Sequence, residues 1–525
     1  MKKLETKQII DSQDFCDRII CGYNDGTAEY GLDADESVAR SLVPAGTGAF
    51  RDFSYIAPDI PIFDANQCVG CMECVTECPD TAILAKAIPE TELDNKLAQL
   101  NGSPYKEWVS NQWSTNKKFY DTPQKQNKAP AKFGIFVDPQ KCKGCGECVN
   151  ACGDHKALKM VVKDEETVPQ LKYGMDFFNE LGPTPSDYVN ERVLADMMLA
   201  EEAMLYAGGA GSCMGCGEAT ALRMMLAATG FVYGKESIGL VAATGCNTVY
   251  GATYPYNPFL VPWSNSLFEN VATFAMGVRM RWDQKGWQDK KLWAIGGDGA
   301  MLDIGFQPLS RLLMSGMNVN VIILDTQVYS NTGGQASTAT LTGQSAKMSA
   351  YGSTIHGKTE RRKEIANIAM AHPDVFVAQT TAAHPNHFYK AIMAANEHPG
   401  PSVVNVYTSC QPEHGIGDNQ SYDQAKLAVD CRVFPIFIFD PKKGKRISEK
   451  LSLQGNPAKN KNWFINKKSG EAMDFIHFAK TEGRFARNFD KEGNPDPILL
   501  KTQEDRLANW HVLQELAGIP VNYET

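Results

Sequence analysis

Residues 292–299 read LWAIGGDG, and residues 319–331 read VNVIILDTQVYSN. Each is a short apolar run that breaks abruptly into glycine or polar residues, with room for one helix between them. That is the pattern of a βαβ unit in a parallel sheet. The breaks put Gly297, Asp298 and Gly299 at one strand end, and Asp325, Thr326, Gln327, Val328, Tyr329, Ser330 and Asn331 at the next. In an open parallel sheet, ligands bind beyond the carboxyl ends of the strands, where backbone amides and helix N-termini favour phosphate. Magnesium takes oxygen ligands in near-octahedral geometry and commonly combines a carboxylate with phosphate oxygens. Asp298 and Thr326 meet that need.

Working outward, further strands are expected at Ile238–Ala243, Leu292–Ile295, Val319–Leu324, Val375–Ala378 and Ser402–Tyr407, with helices such as Asp303–Ser315 and Asn386–Asn396 between them. The fold class is α/β with a parallel sheet. A lone Gly-Asp-Gly is often only a tight turn. Followed one βαβ unit later by a second polar loop, it resembles the thiamine-diphosphate signature.

Fifteen cysteines accompany a start, Met1 to Phe15, that is charged and polar and without the apolar core of a signal peptide. Disulfides are therefore not expected, and ligation is the better reading. Cys68, Cys71, Cys74 and Cys78, followed by Pro79, match the bacterial ferredoxin spacing, and Cys142, Cys145, Cys148 and Cys152 repeat it. In that pattern three closely spaced thiolates clasp one cubane and the fourth reaches to the other. One [4Fe-4S] cluster is thus assigned to Cys68, Cys71, Cys74 and Cys152, and a second to Cys142, Cys145, Cys148 and Cys78. Zinc sites also use CxxC pairs but do not ask for the evenly spaced third and fourth cysteines. Gly153 replaces the expected second proline, so the loop after Cys152 is expected to differ. Cys213 and Cys216 precede the sheet, Cys246 follows its first strand and Cys410 its last. If the strands are parallel these four converge at one edge, but spacing by itself leaves them open between a cluster site and inert thiols. Cys16, Cys21 and Cys431 are read as buried or half-buried thiols without a ligand role.

The net charge of -9 and the absence of a basic stripe exclude nucleic acid as an expected partner. No apolar run reaches the length of a membrane span, and a cytoplasmic location is expected. Four stretches are distinguished: residues 1–54, an N-terminal segment; 55–162, an α+β ferredoxin-like unit; 163–440, the α/β domain; and 441–525, a C-terminal extension. Within the second, the lysine-rich insertion Ile88–Ala131 reads as a wrap without a core of its own. Lys442, Lys443, Lys445 and Arg446 are read as a solvated turn rather than a site for an acidic ferredoxin or a CoA phosphate. The chain should end in a helix with Leu507, Trp510, Leu513 and Leu516 on its packed stripe, Thr502 and Asp505 forming a capping box, and Gly518 at its C-cap.

The stretches CMGCGE (213–218), ATGC (243–246), WSNSLFE (263–269), GDG (297–299), LDTQVYSNTGGQ (324–335) and CQPEHGI (410–416) resemble successive motifs of the catalytic C-terminal part of pyruvate:ferredoxin oxidoreductase. The resemblance covers about Leu42 to Asp440. It implies a thiamine-diphosphate domain in which Cys213, Cys216, Cys246 and Cys410 bind a third cluster nearest the thiamine. It further implies that Asp298, Thr326 and the Val328 carbonyl hold magnesium, that Gly297 and Gly299 shape the cofactor site, that Glu218 lines it, and that Asn331 positions substrate. His414 is left open between a site contact and a structural hydrogen-bonder. The implied reaction converts pyruvate, CoA and oxidised ferredoxin to acetyl-CoA, CO2 and reduced ferredoxin, reversibly, with flavodoxin as another acceptor. Ser330 and Asn331 look pyruvate-type, with a 2-oxoglutarate or branched 2-oxoacid enzyme, or a non-catalytic iron-sulfur electron carrier, as the alternatives. The pyrimidine-activating glutamate, the substrate arginine and much of the CoA site are expected on a partner subunit, in a two-fold hetero-oligomer.

Overall fold

The computed structural model describes residues 11–32, 34–100, 102–352 and 356–523. Most of the polar start lies outside them. The chain divides into two compact units. One runs up to Asn190 and adds Met198–Ser212 and Thr248–Pro262; the other holds Glu191–Met197, Cys213–Asn247 and Trp263 onward.

In the first unit, β1 (Asp59–Phe63) pairs antiparallel with β5 (Leu158–Val162), while β2 (Ile83–Pro89), β3 (Trp113–Ser114) and β4 (Ala131–Val137) form a second antiparallel sheet in the order β2–β4–β3. The insertion is more than a wrap. Its α1 (Glu90–Gln99) and the β3 segment bury Leu93, Val109 and Trp113 against Phe177, Phe178 and Leu181 at the end of α2 (Thr167–Glu180). Its lysines lie on the solvent side, so composition hid apolar residues spaced to face inward.

The second unit is an eight-stranded sheet. Its strands are β6 (Ile238–Ala243), β7 (Trp263–Ser266), β8 (Lys291–Gly297), β9 (Asn320–Asp325), β10 (Phe376–Thr381), β11 (Ser402–Tyr407), β12 (Phe437–Phe439) and β13 (Leu451–Ser452). The order is β7–β6–β8–β9–β11–β10–β12–β13, parallel from β7 to β10, with β12 and β13 added antiparallel. Strands β6, β9, β10 and β11 are buried at every residue, as expected where both faces are covered. From β6 the chain steps one way to β7 and then returns to β8 on the other side, so the switch point lies between β6 and β8. Helix α3 (Gly217–Tyr233), rich in alanine, leucine and methionine, is buried from Gly217 to Gly230, which fits a helix apolar all round.

The helix expected at Asp303–Ser315 is split into a π-helical turn at Gly299–Ile304 and a helix at Phe306–Leu313. The break falls at Gly305, where a Cβ would come within 2.2 Å of the Ala300 carbonyl oxygen. The helix expected at Asn386–Asn396 runs Pro385–Glu397. The terminal helix, Pro497–Leu516, starts earlier than the proposed capping box. Asp496 is its N-cap, accepting from Leu499 N at 3.1 Å, while Thr502 sits inside the helix and donates to the Ile498 and Thr342 carbonyls. Trp510 and Leu513 are fully buried in the sheet's core with Leu507 and Leu516 packed beside them, and Gly518 has the expected left-handed backbone at the C-terminal end. Among the described residues no helix is long and apolar enough to cross a membrane.

Candidate functional site

The loops after β6, β8 and β9 open into one cleft at the switch point, lined by Glu218, Cys246, Phe268, Asp298, Thr326 and Asn331 among others. Three oxygens meet in its floor. Thr326 Oγ1 lies 3.2 Å from Asp298 Oδ1 and 3.1 Å from the Val328 carbonyl oxygen. One hydroxyl proton cannot satisfy both acceptors at full strength, so lone pairs are in surplus there. Adjacent corners of an octahedron with 2.0–2.1 Å bonds are roughly 3 Å apart, so the spacing fits a small hard cation. Asp298 is almost wholly buried. Burial, and next the neighbouring Asp325, push its carboxyl well above the usual carboxylate range. Ser337 Oγ donates to its second oxygen. Just beneath, the buried pair Arg362–Asp325 anchors the end of β9. Sequence reading named neither Ser337 nor Arg362, because both reach the cleft only through the fold.

Gly299 is required by a close approach: a Cβ would lie 2.3 Å from the Tyr329 ring. The loop carrying Tyr329 closes on itself through Tyr329 N to Gln335 O and Gly334 N to Tyr329 O, both 2.9 Å. Asn331 is thereby presented, exposed, at the tip of the loop over the cleft. The enclosed volume is only about 30 Å³, against ~300–1,000 Å³ for pockets that engulf a ligand.

The four cysteines expected beside the cleft come together there. Cys246 interacts electrostatically with Cys216, Cys410 and Cys213, and Glu218 acts on Cys216, Cys246 and Cys410. The Cys213–Cys216 loop is stitched to the Cys410 loop. Gln411 Nε2 and Ser421 Oγ donate to the Gly215 carbonyl, and Gly217 N donates to Ser409 O. Gly215, at φ +67°, leaves no room for a side chain because a Cβ would strike the Asp418 carbonyl oxygen. His414, fully buried, makes structural hydrogen bonds: its Nε2 lies 2.8 Å from the Thr326 carbonyl oxygen.

In the first unit, Cys68, Cys71 and Cys74 interact with Cys152, while Cys142, Cys145 and Cys148 interact with Cys78. The repeat extends to the backbone: Gly70 and Met72 in the first run, like Gly144 and Gly146 in the second, are left-handed. Cys78 Sγ accepts from Ala82 N, four residues on, and Cys152 Sγ from Ala157 N, five residues on. The loop after Cys152 is thus one residue longer, with Gly153 at φ +53° where the first run has Pro79. Burial raises Cys68 to about 11, Cys142 to about 12 and Cys410 to about 12. Thiolates are costly here until a cation pays for them, so ligation would release protons. Among the described residues no three His, Cys, Asp or Glu side chains are gathered as one metal ion would require; a cubane held by four thiolates does not ask its ligands to meet at a point. Cys16 and Cys431 sit in apolar cores, whereas Cys21 is exposed, not half-buried, on its helix.

Residues 60–153 match the 4Fe-4S dicluster domain, and residues 243–406 match the C-terminal TPP binding domain of thiamine pyrophosphate enzymes. The chain is 28% identical to pyruvate-flavodoxin oxidoreductase of Rhodospirillum rubrum, over 88% of this chain and 42% of that protein. It is 29% identical to pyruvate:ferredoxin oxidoreductase of Moorella thermoacetica, over 93% of this chain and 45% of that protein. Both relatives are similar to this chain at under 30% identity. The chain spans less than half the length of these relatives. Among solved structures, a 2-oxoglutarate:ferredoxin oxidoreductase from Magnetococcus marinus overlaps 38% of this chain and 64% of that one at 21% identity, with a TM-score of 0.33, too low to argue from. The domain matches support thiamine diphosphate and iron-sulfur clusters as cofactors and an α/β parallel-sheet domain joined to a dicluster domain.

Proposed function

We propose that this chain is the thiamine-diphosphate-binding and electron-carrying part of a pyruvate:ferredoxin oxidoreductase. It would take part in the reversible conversion of pyruvate, CoA and oxidised ferredoxin or flavodoxin to acetyl-CoA, CO2 and reduced carrier. The observation that carries this reading is an oxygen cradle in a cleft at the sheet's switch point that is also lined by Glu218 and by Cys246, one of four cysteines brought near one another there. When bound, thiamine diphosphate supplies the electron sink for decarboxylation of a 2-oxoacid, and the clusters accept electrons singly.

Asp298, Thr326 and Val328 hold magnesium and through it the diphosphate, while Gly297 and Gly299 let the backbone approach. Glu218 and Phe268 would line the cofactor site, and Asn331 would position substrate from its loop tip. Three [4Fe-4S] clusters are assigned. Cys68, Cys71, Cys74 and Cys152 hold one; Cys142, Cys145, Cys148 and Cys78 the second; Cys213, Cys216, Cys246 and Cys410 the third. Residues 55–162 are proposed as the ferredoxin-like unit and 163–440 as the thiamine-binding one. The cleft encloses only about 30 Å³, too little to engulf a ligand by itself. A partner subunit in a two-fold assembly is proposed to bring the pyrimidine-activating glutamate and the substrate and CoA sites. A cytoplasmic location fits this chemistry.

The test is anaerobic iron and acid-labile sulfide per chain, followed by reduction with pyruvate and CoA against 2-oxoglutarate and CoA, with and without the co-purifying partner. About twelve iron per chain and bleaching by pyruvate support the proposal. About eight iron and no substrate response leave only an electron carrier, and bleaching by 2-oxoglutarate alone reassigns the substrate.

A further inference from the structure

Gln327 sits between two of the cradle's residues, and its backbone is left-handed, at φ +64°. That conformation makes the cradle. Had residue 327 continued the strand, the Val328 carbonyl would lie roughly 6–7 Å beyond Thr326, at ~3.3 Å per residue. Instead it turns back to within 3.1 Å of Thr326 Oγ1. The left-handed region is disfavoured for a residue with a Cβ by about tenfold in population. The Gln327 side chain does not compensate: it is fully buried and, among the described residues, neither of its amide atoms has a hydrogen-bond partner.

The backbone contacts do compensate. Gln327 N donates to Asp325 Oδ1 at 3.2 Å, and the Gln327 carbonyl accepts from Thr340 Oγ1 at 2.6 Å. Thr340, fully buried, accepts in turn from Ser337 N at 2.9 Å, and Ser337 Oγ donates to Asp298. One hydroxyl therefore ties the turn that holds Asp298 to the loop that presents Val328. Gln344 backs it. Its Nε2 reaches the same Gln327 carbonyl at 3.4 Å, and its Oε1 accepts at 3.1 Å from the guanidinium of Arg484, a buried residue of the C-terminal extension. A strained residue persists only where its surroundings over-determine it. We propose that Thr340 is a positioning residue for the cation: its hydroxyl holds Gln327 left-handed and so keeps the Val328 carbonyl turned toward Thr326 and Asp298. Without that hydroxyl Gln327 relaxes in most molecules, and a cation that needs the left-handed form binds more weakly in proportion to the fraction that keeps it. This inference deepens the magnesium assignment above and rests on it.

The experiment is a titration of the full-length chain, with any partner that co-purifies, by Mn2+ in the presence of thiamine diphosphate. Mn2+ shares magnesium's preference for oxygen ligands, and the free ion is counted by electron paramagnetic resonance. Thr340→Val, which removes the hydroxyl and keeps the branched shape, should weaken binding about tenfold, and Thr340→Ser should bind as wild type does. Glycine takes positive φ freely, so Gln327→Gly should bind within about threefold of wild type, and adding it to Thr340→Val should bring affinity back to that level. A Thr340 that only stabilised the fold would not be relieved by glycine at 327. Should Thr340→Val fail to fold, Gln327→Val decides: a β-branched residue tolerates the left-handed region worst, so it should bind at least about tenfold more weakly than Gln327→Gly. Wild-type affinity in Thr340→Val, no relief in the double variant, or equal affinity in the two Gln327 variants overturns the inference and leaves the proposed function standing. A wild-type protein that binds no Mn2+ with thiamine diphosphate overturns both.

Discussion

Replacing Asp298 by asparagine keeps the shape of the cradle and removes its only carboxylate. Without cofactor, the folded state holds a proton on Asp298 more tightly than the unfolded chain does, because burial and Asp325 raise its pKa. The sign follows: this group's contribution to stability falls as pH rises from about 4, the unfolded value, through the raised folded value, so at neutral pH the carboxyl is a liability until a cation arrives. Asp298→Asn is therefore expected to be at least as stable as wild type without cofactor. With cofactor the order reverses. Interactions with a buried charge are worth ~1.5–3 kcal/mol, so affinity for magnesium and thiamine diphosphate should fall about a hundredfold, ~2.7 kcal/mol. Ligand at a hundred times the wild-type Kd stabilises wild type by ~2.7 kcal/mol, and the variant by only ~0.4 kcal/mol. Thermal unfolding with and without the cofactor pair, alongside iron and sulfide analysis, measures both. A variant that keeps the full ligand-induced gain refutes the cradle as the cation site. Iron falling in parallel refutes the independence of the cradle from the clusters.

Cys410→Ala should lower iron from about twelve to about eight per chain while leaving the two ferredoxin-type signals unchanged; loss of all three signals would contradict the assignment. At the β10–α corner, burial lowers His384 to about 4 and His387 to about 3. Both stay neutral in the fold after the unfolded chain has begun to charge, so stability present above pH ~6.5 should be lost on acidification at up to ~1.4 kcal/mol per pH unit per imidazole. A His384→Asn, His387→Asn double variant should flatten that slope between pH 6.5 and 4, and an unchanged slope would place the acid sensitivity elsewhere. Trp510 is fully buried, donates to the Lys461 carbonyl at 2.9 Å and lies under the Arg432 guanidinium at 4.1 Å. Trp510→Ala should cost ~3–5 kcal/mol in denaturant unfolding, and a cost below ~1 kcal/mol would show the terminal helix to be peripheral to the core.

Local sequence determined much of this protein. Continuous apolar runs such as VNVIILD make strands buried on both faces, because a residue there meets a helix whichever way it points. The breaks after them place Asp298 and Thr326 at the carboxyl edge. The two cysteine runs carry their own turn geometry, with left-handed positions repeated at Gly70 and Gly144, so their spacing was legible as a ligand pattern without any knowledge of packing. Cys213, Cys216, Cys246 and Cys410 were different. They are separated by up to 197 positions, and only strand order and parallel direction bring them to one edge. Composition misread the 88–131 insertion because its lysines and its buried Leu93, Val109 and Trp113 share the same segment on opposite faces. The capping residues of the last helix were misplaced because Thr502 satisfies its hydroxyl across space, on Thr342. Ser337 on Asp298 and Arg362 beneath β9 carry no local signature at all. Their roles are set by which atoms the fold brings within hydrogen-bonding distance, and a buried polar group takes whatever partner the tertiary structure offers it because leaving it unpaired costs more.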